Sequence, residues 1–409
     1  MVPVALLIGL SIFFGTSSGS HAAQGTPTAS PTTTATPTTP TSASASRFAF
    51  PYQPQGNFAV AAYLPEWRYE GANWDTIATH VSHLILFSLE PAPDGRILAL
   101  DRLPRPELLQ EARAATRRHD TALMVCFGGN GRSSGFSRMV RRKASRRRFV
   151  SELVRLLRRF DLDGVDYNWE YPGYVMGRGY QSEAEIKRDY RGLRALVKET
   201  RHALGTAAPI TLAYYPDVRQ ERLLHQGGFE KFVDLMHMMS YDQQGTHHSS
   251  LEYGRRMAEQ GAELLQAAVV TAGLPFYGRL SSSGDWRSYE DLVQAHWPLD
   301  PSLDTVPHEG AELGFNGVRT IEARVAHAAQ LGLGGVMIWE VGQDCRLVPV
   351  THGDTTHQRT CPGEGDSASL LAAISRSMAS AGAERVRFMA TGGEEDTAAA
   401  GAATHDAEL

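Results

Sequence analysis

A barrel of eight parallel strands with crossover helices, (β/α)8, is the architecture that residues 58–375 predict. Two observations lead there. Short apolar runs occur eight times in this region, and amphipathic stretches of helical length lie between them. Strands that alternate with helices form a parallel sheet with right-handed crossovers. The span is also long enough for one barrel, which needs roughly 250 residues.

Taken in order, the expected strands are residues 59–64, 82–88, 122–127, 164–170, 210–215, 235–241, 268–274 and 335–339. Amphipathic helical patterns cover 107–118, 145–160, 183–204 and 321–331 between them. The fourth strand says most. It begins after Asp163 and runs Gly164-Val165-Asp166-Tyr167-Asn168-Trp169-Glu170, followed by Tyr171-Pro172. At period two, Asp166, Asn168 and Glu170 share one face while Val165, Tyr167 and Trp169 share the other. Polar groups stacked along one face of an apolar strand are unfavourable unless that face lines a site. A carboxylic acid among such neighbours is placed to have a raised pKa and to serve as a general acid. Barrel sites lie at the C-terminal strand ends, where Glu170 falls. The arginine-rich run 141–148 reads as a solvated helix entrance, not as an anion site.

The ends of the chain have a different composition. Residues 1–22 combine an apolar run with small residues through Ser20-His21-Ala22, a pattern expected of a signal peptide and hence of secretion. Residues 23–55 are rich in Thr, Ser and Pro and predict a disordered linker. The barrel is expected over 56–381, and a disordered tail over 382–409. That tail ends His405-Asp406-Ala407-Glu408-Leu409, which departs from an ER-retention signal by its inserted Ala. A net charge of −5 gives no basic excess for nucleic acid, and no segment is long enough to span a bilayer comfortably. The three cysteines lack metal-type spacing, so neither a metal nor a cofactor is expected. Cys345 and Cys361 bracket a polar loop and are expected to pair, whereas Cys126 reads as a buried free thiol.

The fourth-strand run resembles the Asp-Gly-x-Asp-x-Asp-x-Glu signature of glycoside hydrolase family 18, the chitinases and their relatives, with Asn168 in place of the third Asp. Other segments extend the resemblance in the family's order. Cys126-Phe127-Gly128-Gly129-Asn130 is similar to its third strand end, with Asn130 where Trp is usual. Met239-Ser240-Tyr241-Asp242 is similar to the sixth, Gly273 to Arg279 to the seventh, and Gly335 to Glu340 to the eighth. Tyr63 and Phe87 fall where the family places aromatics that line the pocket. The stretch 280–316 is too short for the large α+β insertion of some relatives, so a more open cleft is expected.

The resemblance implies a retaining mechanism in which the substrate's own 2-acetamido oxygen attacks the anomeric carbon. Glu170 would be general acid and base, Asp166 would tune the strand-four stack, and Tyr241 would hold the acetamido group. Trp339 would form the sugar floor, with Asp242, Met239, Tyr171, Tyr63, Phe87, Gly129, Asn130 and Arg279 binding substrate. The expected partner is chitin or another N-acetylglucosamine-containing glycan, met by a monomer. Asn168 can accept an N–H and donate to a carboxylate, but it brings no charge to a developing cation. Two unit charges about 4 Å apart at an effective dielectric of 20 interact by roughly 4 kcal/mol, an upper guide to that loss. A lectin that binds chitin without cleaving it and an endo-β-N-acetylglucosaminidase remain the alternatives.

Overall fold

Strands with no polar face must be covered on both sides, and the first and third strands here are buried at every residue. A computed structural model describes residues 52–280, 282–350, 357–363 and 365–390. The expected signal peptide, nearly all of the linker and the tail from 391 onward lie outside these residues. Eight parallel strands form the barrel: β1 (Ala59–Pro65), β2 (His83–Pro91), β3 (Ala122–Gly128), β4 (Gly164–Asn168), β5 (Ile210–Tyr214), β6 (Leu235–Met238), β7 (Val270–Pro275) and β8 (Gly335–Trp339). Each pairs with its sequence neighbours, and β8 returns to β1, which closes the ring.

Alternation then divides the side chains. Val165 and Tyr167 on β4 point outward into the layer shared with the helices, where Tyr167 bonds Thr200 of helix Glu183–Leu204 at 2.6 Å. Ala61, Tyr63, Ile85, Met124, Cys126 and Met337 fill the interior. The ladder of β4 stops at Asn168, two residues short of the expectation, because the barrel opens at its mouth. The alternation nevertheless continues: Trp169 stacks outward on Phe136, centroids 5.1 Å apart, and leaves Glu170 facing in.

Between β7 and β8 no large domain is inserted. Residues 277–314 instead build a small four-stranded antiparallel sheet with one short helix, Tyr289–Ala295. The sequence did not announce it, since its strands are only three or four residues long.

Two expected boundaries move. Tyr52–Gln55 and Arg387–Ala390, placed in the linker and the tail by composition, pair as antiparallel strands. The reason is a buried Phe388 that meets His83 edge-on, centroids 5.0 Å apart, and covers the end of the barrel opposite the mouth. In the run 141–148, Arg141 pairs with Asp189, Arg146 with Glu199, and Arg148 with Glu152 and Asp94. No helix among the described residues is long and apolar enough to cross a membrane.

Cys345 and Cys361 form a disulfide, and Cys126 is free and buried. A crosslink that spans 16 residues stabilises by about 3 kcal/mol in the chain-entropy account. A thiol reagent should therefore find no reactive group in the native protein and one after unfolding without reductant. Two or more titrating thiols would contradict the pairing.

Candidate active site

The inward face of β4 carries three polar side chains in a gradient from the core to the mouth. Asp166 lies deepest and is fully buried. Tyr63 on β1 donates to its Oδ2 at 2.9 Å, and Thr211 on β5 donates to its Oδ1 at 2.7 Å. Burial raises its pKa, and the hydrogen bonds from Thr211, Cys126 and Tyr63 act in the opposite direction.

Asn168 comes next. Its amide hydrogen-bonds to Glu170, whereas its Oδ1 is buried with no partner among the described residues. An orphaned buried acceptor costs desolvation energy, so it either awaits a donor or is a defect. Its position argues for the first, because Asn168 lines a cavity of about 290 Å³ at the barrel mouth.

Glu170 faces the same cavity. Its backbone N–H donates to Ser133 Oγ at 3.1 Å, and that hydroxyl also reaches the carbonyls of Gly129 and Asn168. Desolvation first, and then the charge of Asp242, push the Glu170 carboxyl up from about 4.5 to about 7, against the hydrogen bond from Asn168. Asp242 behaves oppositely. Desolvation would raise it, but His248 and Arg279 outweigh that and hold it at about 2. Arg279 lies 2.8 Å from its Oδ1, and Tyr277 donates to the same oxygen at 2.8 Å. The two carboxyls are thus driven apart, so that one is anionic throughout and the other is poised near neutrality.

The aromatic walls come from β1, β2 and β8 and from the segments that follow β4, β5 and β6. Trp339 meets Phe87 edge-on with centroids 4.7 Å apart and leans on Tyr63 at 5.6 Å. Among the described residues Tyr241 donates to the Met337 thioether at 3.8 Å, a weak acceptor that leaves the hydroxyl ready for a better one. Gly273 permits this placement, since a Cβ there would sit 2.9 Å from the Tyr241 ring. Behind the loop that carries Tyr241 and Asp242 lies a buried cation whose hydrogen bonds, among the described residues, go to hydroxyl, amide and backbone carbonyl oxygens. Arg324 donates to Ser249 Oγ (2.6 Å), Asn316 Oδ1 (2.7 Å), Gly273 O (2.8 Å) and Ser240 O (3.1 Å). It ties the residue before Tyr241 to β7.

Of the expected site residues, Glu170, Asn168, Tyr241, Trp339, Asp242, Met239, Tyr171, Tyr63, Phe87, Asn130 and Arg279 all line this cavity. Two do not. Asp166 lies beneath it, and Gly129 is a packing residue: its φ is +100°, and a Cβ would come within 2.3 Å of the Phe87 ring. Trp67, Arg132, Tyr215, Gln243 and Gln244 also line it and were not anticipated. Tyr215 and the two glutamines follow strands that the sequence did reveal, Tyr215 directly after β5 and the glutamines on the loop after β6, which was the available signal. Trp67 and Arg132 sit in loops brought together by an ion pair of Arg132 with Glu66 at 2.5 Å. Among the described residues no group of three or more His, Cys, Asp or Glu side chains could hold a metal ion.

Comparison with known proteins fits this geometry. The family model described as glycosyl hydrolases family 18 matches residues 59–344. An endochitinase of Manduca sexta is 25% identical over 283 residues, which are 54% of this chain and 50% of that protein. Chitotriosidase-1 of Mus musculus is 25% identical over 274 residues, 54% of this chain and 58% of that protein. The chain thus spans only about half the length of these relatives. A solved chitinase from Bacteroides thetaiotaomicron shares the fold with a TM-score of 0.61 at 16% identity, covering 80% of this chain and 97% of that one. The second catalytic domain of an Ostrinia furnacalis group II chitinase does so with a TM-score of 0.62 at 17% identity, covering 81% and 98%.

The charge of Asp242 holds Glu170 up, so Asp242→Asn should lower the Glu170 pKa below its wild-type value of about 7. Carboxyl-resolved NMR titration measures this, and an unmoved midpoint would remove Asp242 from the electrostatics of the site. The raised pKa also sets a sign for stability. The contribution of Glu170 is complete below pH 4.5 and is lost as pH rises through about 7, so Glu170→Gln should gain stability over wild type on the alkaline side.

Proposed function

The chain belongs to the glycosyl hydrolases of family 18, and from that membership we propose that it hydrolyses β-1,4-linked N-acetylglucosamine oligomers or chitin, with Glu170 as general acid and base. The observation that carries the reading is the Glu170 carboxyl, raised to about 7 and facing a cavity floored by Trp339. At neutral pH a substantial fraction of it holds the proton that a leaving glycosidic oxygen requires. Retention follows from the chemistry of the substrate. The 2-acetamido oxygen attacks the anomeric carbon as Glu170 protonates the departing oxygen. The resulting oxazolinium is opened by water, whose proton returns to the Glu170 carboxylate.

Each neighbour has a part. Tyr241 donates to the acetamido oxygen and holds it in line, exchanging a thioether acceptor for a stronger one. Asn168 Oδ1 accepts the acetamide N–H, which satisfies an acceptor without a partner among the described residues. The missing charge at 168 makes the enzyme slower without removing the acid. Trp339 stacks under the sugar, with Asp242 and Tyr171 touching the ring or its substituents. The disulfide supports an oxidising compartment and, with the apolar amino-terminal run, export.

Glu170→Gln should abolish hydrolysis of N-acetylglucosamine oligomers and leave their binding nearly intact, as read by product analysis beside calorimetry. Equal turnover in both proteins would exclude Glu170 as the acid, and binding without turnover in both would make the protein a lectin. An N-glycopeptide in the same assay separates the endo-β-N-acetylglucosaminidase reading. Asn168→Asp should move the alkaline limb of kcat/KM to higher pH. The variant loses the amide donor that lowers the Glu170 pKa and adds a like charge beside it. A limb that stays in place would mean that Asn168 does not set the proton affinity of the acid.

A further inference from the structure

The small sheet between β7 and β8 has two faces with different work. Gly278 belongs to the inner one, where a Cβ would strike Leu313 at 2.0 Å and Leu292 at 3.1 Å, both buried in the core of the insert. Tyr277 and Arg279, its neighbours in sequence, point to the other face, and both reach Asp242 at 2.8 Å. That second face therefore looks onto the cavity.

Trp286 stands on it. In the antiparallel register Trp286 lies directly opposite Arg279, and directly paired residues project to the same side of a sheet. It is not among the side chains that line the cavity itself; it continues the wall one strand further out than Arg279. The insert has no packing need for it, since Tyr289, Leu292 and Leu313 form its interior while Trp286 is 52% exposed. The hairpin that carries it is held by hydrogen bonds from Leu280 N to Asp285 O and from Gly284 N to Leu280 O, each 2.8 Å. A large aromatic on a braced hairpin, exposed next to the Arg279 that lines the cavity, offers a flat apolar face.

We propose that Trp286 is a stacking platform for a pyranose unit of the bound glycan, one that lies outside the cavity floored by Trp339. The occupant is a continuation of the same N-acetylglucosamine chain, and this rests on the family-18 reading above. The platform selects for longer oligomers. It touches no reacting atom, so it contributes to affinity and not to the rate of bond cleavage.

The test measures hydrolysis of β-1,4-linked N-acetylglucosamine oligomers of increasing length by wild type, Trp286→Ala and Trp286→Phe. The alanine variant should raise KM for the longest oligomer roughly tenfold, with kcat and the KM of the shortest cleaved oligomer unchanged. The phenylalanine variant should recover most of the loss. A KM that is unchanged at every length, or raised equally at every length, would overturn the platform and leave the family-18 reading standing. A wild-type protein that cleaves no oligomer at all would sink that reading, and the platform with it.

Discussion

A carboxylate inside a barrel must be surrounded by donors, and Asp166 meets that demand by tying β4 to both of its neighbours, β3 and β5, and to the non-adjacent β1. Tyr63 reaches it from β1, Thr211 from β5, and the Cys126 thiol from β3. The bonds fix the height of β4 within the ring. Since successive inward residues lie two apart, fixing Asp166 also fixes where Asn168 and Glu170 emerge. The three side chains differ in how fully they are satisfied. Asp166 has donors on both oxygens, Asn168 lacks a partner on one atom, and Glu170 opens into the cavity. Satisfaction decreases toward the mouth, and readiness for chemistry increases with it.

The second half of the site is held from outside the barrel. Tyr241 and Asp242 follow β6 on a loop with no ladder of its own, and Arg324 anchors that loop to β7 through Ser240, Ser249 and Gly273. Burial pulls the Arg324 pKa down to about 10, yet at neutral pH it keeps its charge among hydroxyls and carbonyls. A buried cation of this kind is costly unless its donors are used, and several are used here on the one segment that must not drift. Asp242 can then press on Glu170 from a fixed position, itself held ionised by His248 and Arg279. The segments that follow β4 and β6, one strand apart in the ring, therefore set one proton affinity.

The legible part of this arrangement was the part carried by periodicity. The alternation in 164–170 identified the inward face and the carboxyl, Glu170, that faces the cavity at its mouth end, and the order of the strand-end motifs identified the barrel. Strand ends were less legible, because the ladder of β4 stops at Asn168 while the alternation runs on to Glu170. Contacts between loops were not legible at all. Ser133, which holds the Glu170 backbone, is an ordinary serine in a glycine-rich loop, and Arg132 enters the cavity only because Glu66 follows β1 and meets it. Composition misled at the ends of the barrel. The residues around Gln55 and Arg387 look like linker and tail, yet they pair with each other, the buried Phe388 packs on His83, and Arg385 donates to the carbonyls of Val81 and His119.

Asn168 is where local rule and function part. A buried amide oxygen without a donor contradicts the satisfaction of polar groups seen elsewhere on β4. An aspartate at this position could share a proton with either neighbour and would couple the titration of the whole stack. An amide has no proton to pass between them. Glu170 is then tuned by desolvation, by the charge of Asp242 in the same cavity and by one donated hydrogen bond, and it reaches about 7 by that route. In the proposed mechanism an amide at 168 gives up negative charge near the developing cation. What it keeps is an acceptor aimed into the cavity, which a neutral amide can offer without adding a further anion to a pocket already holding Asp242.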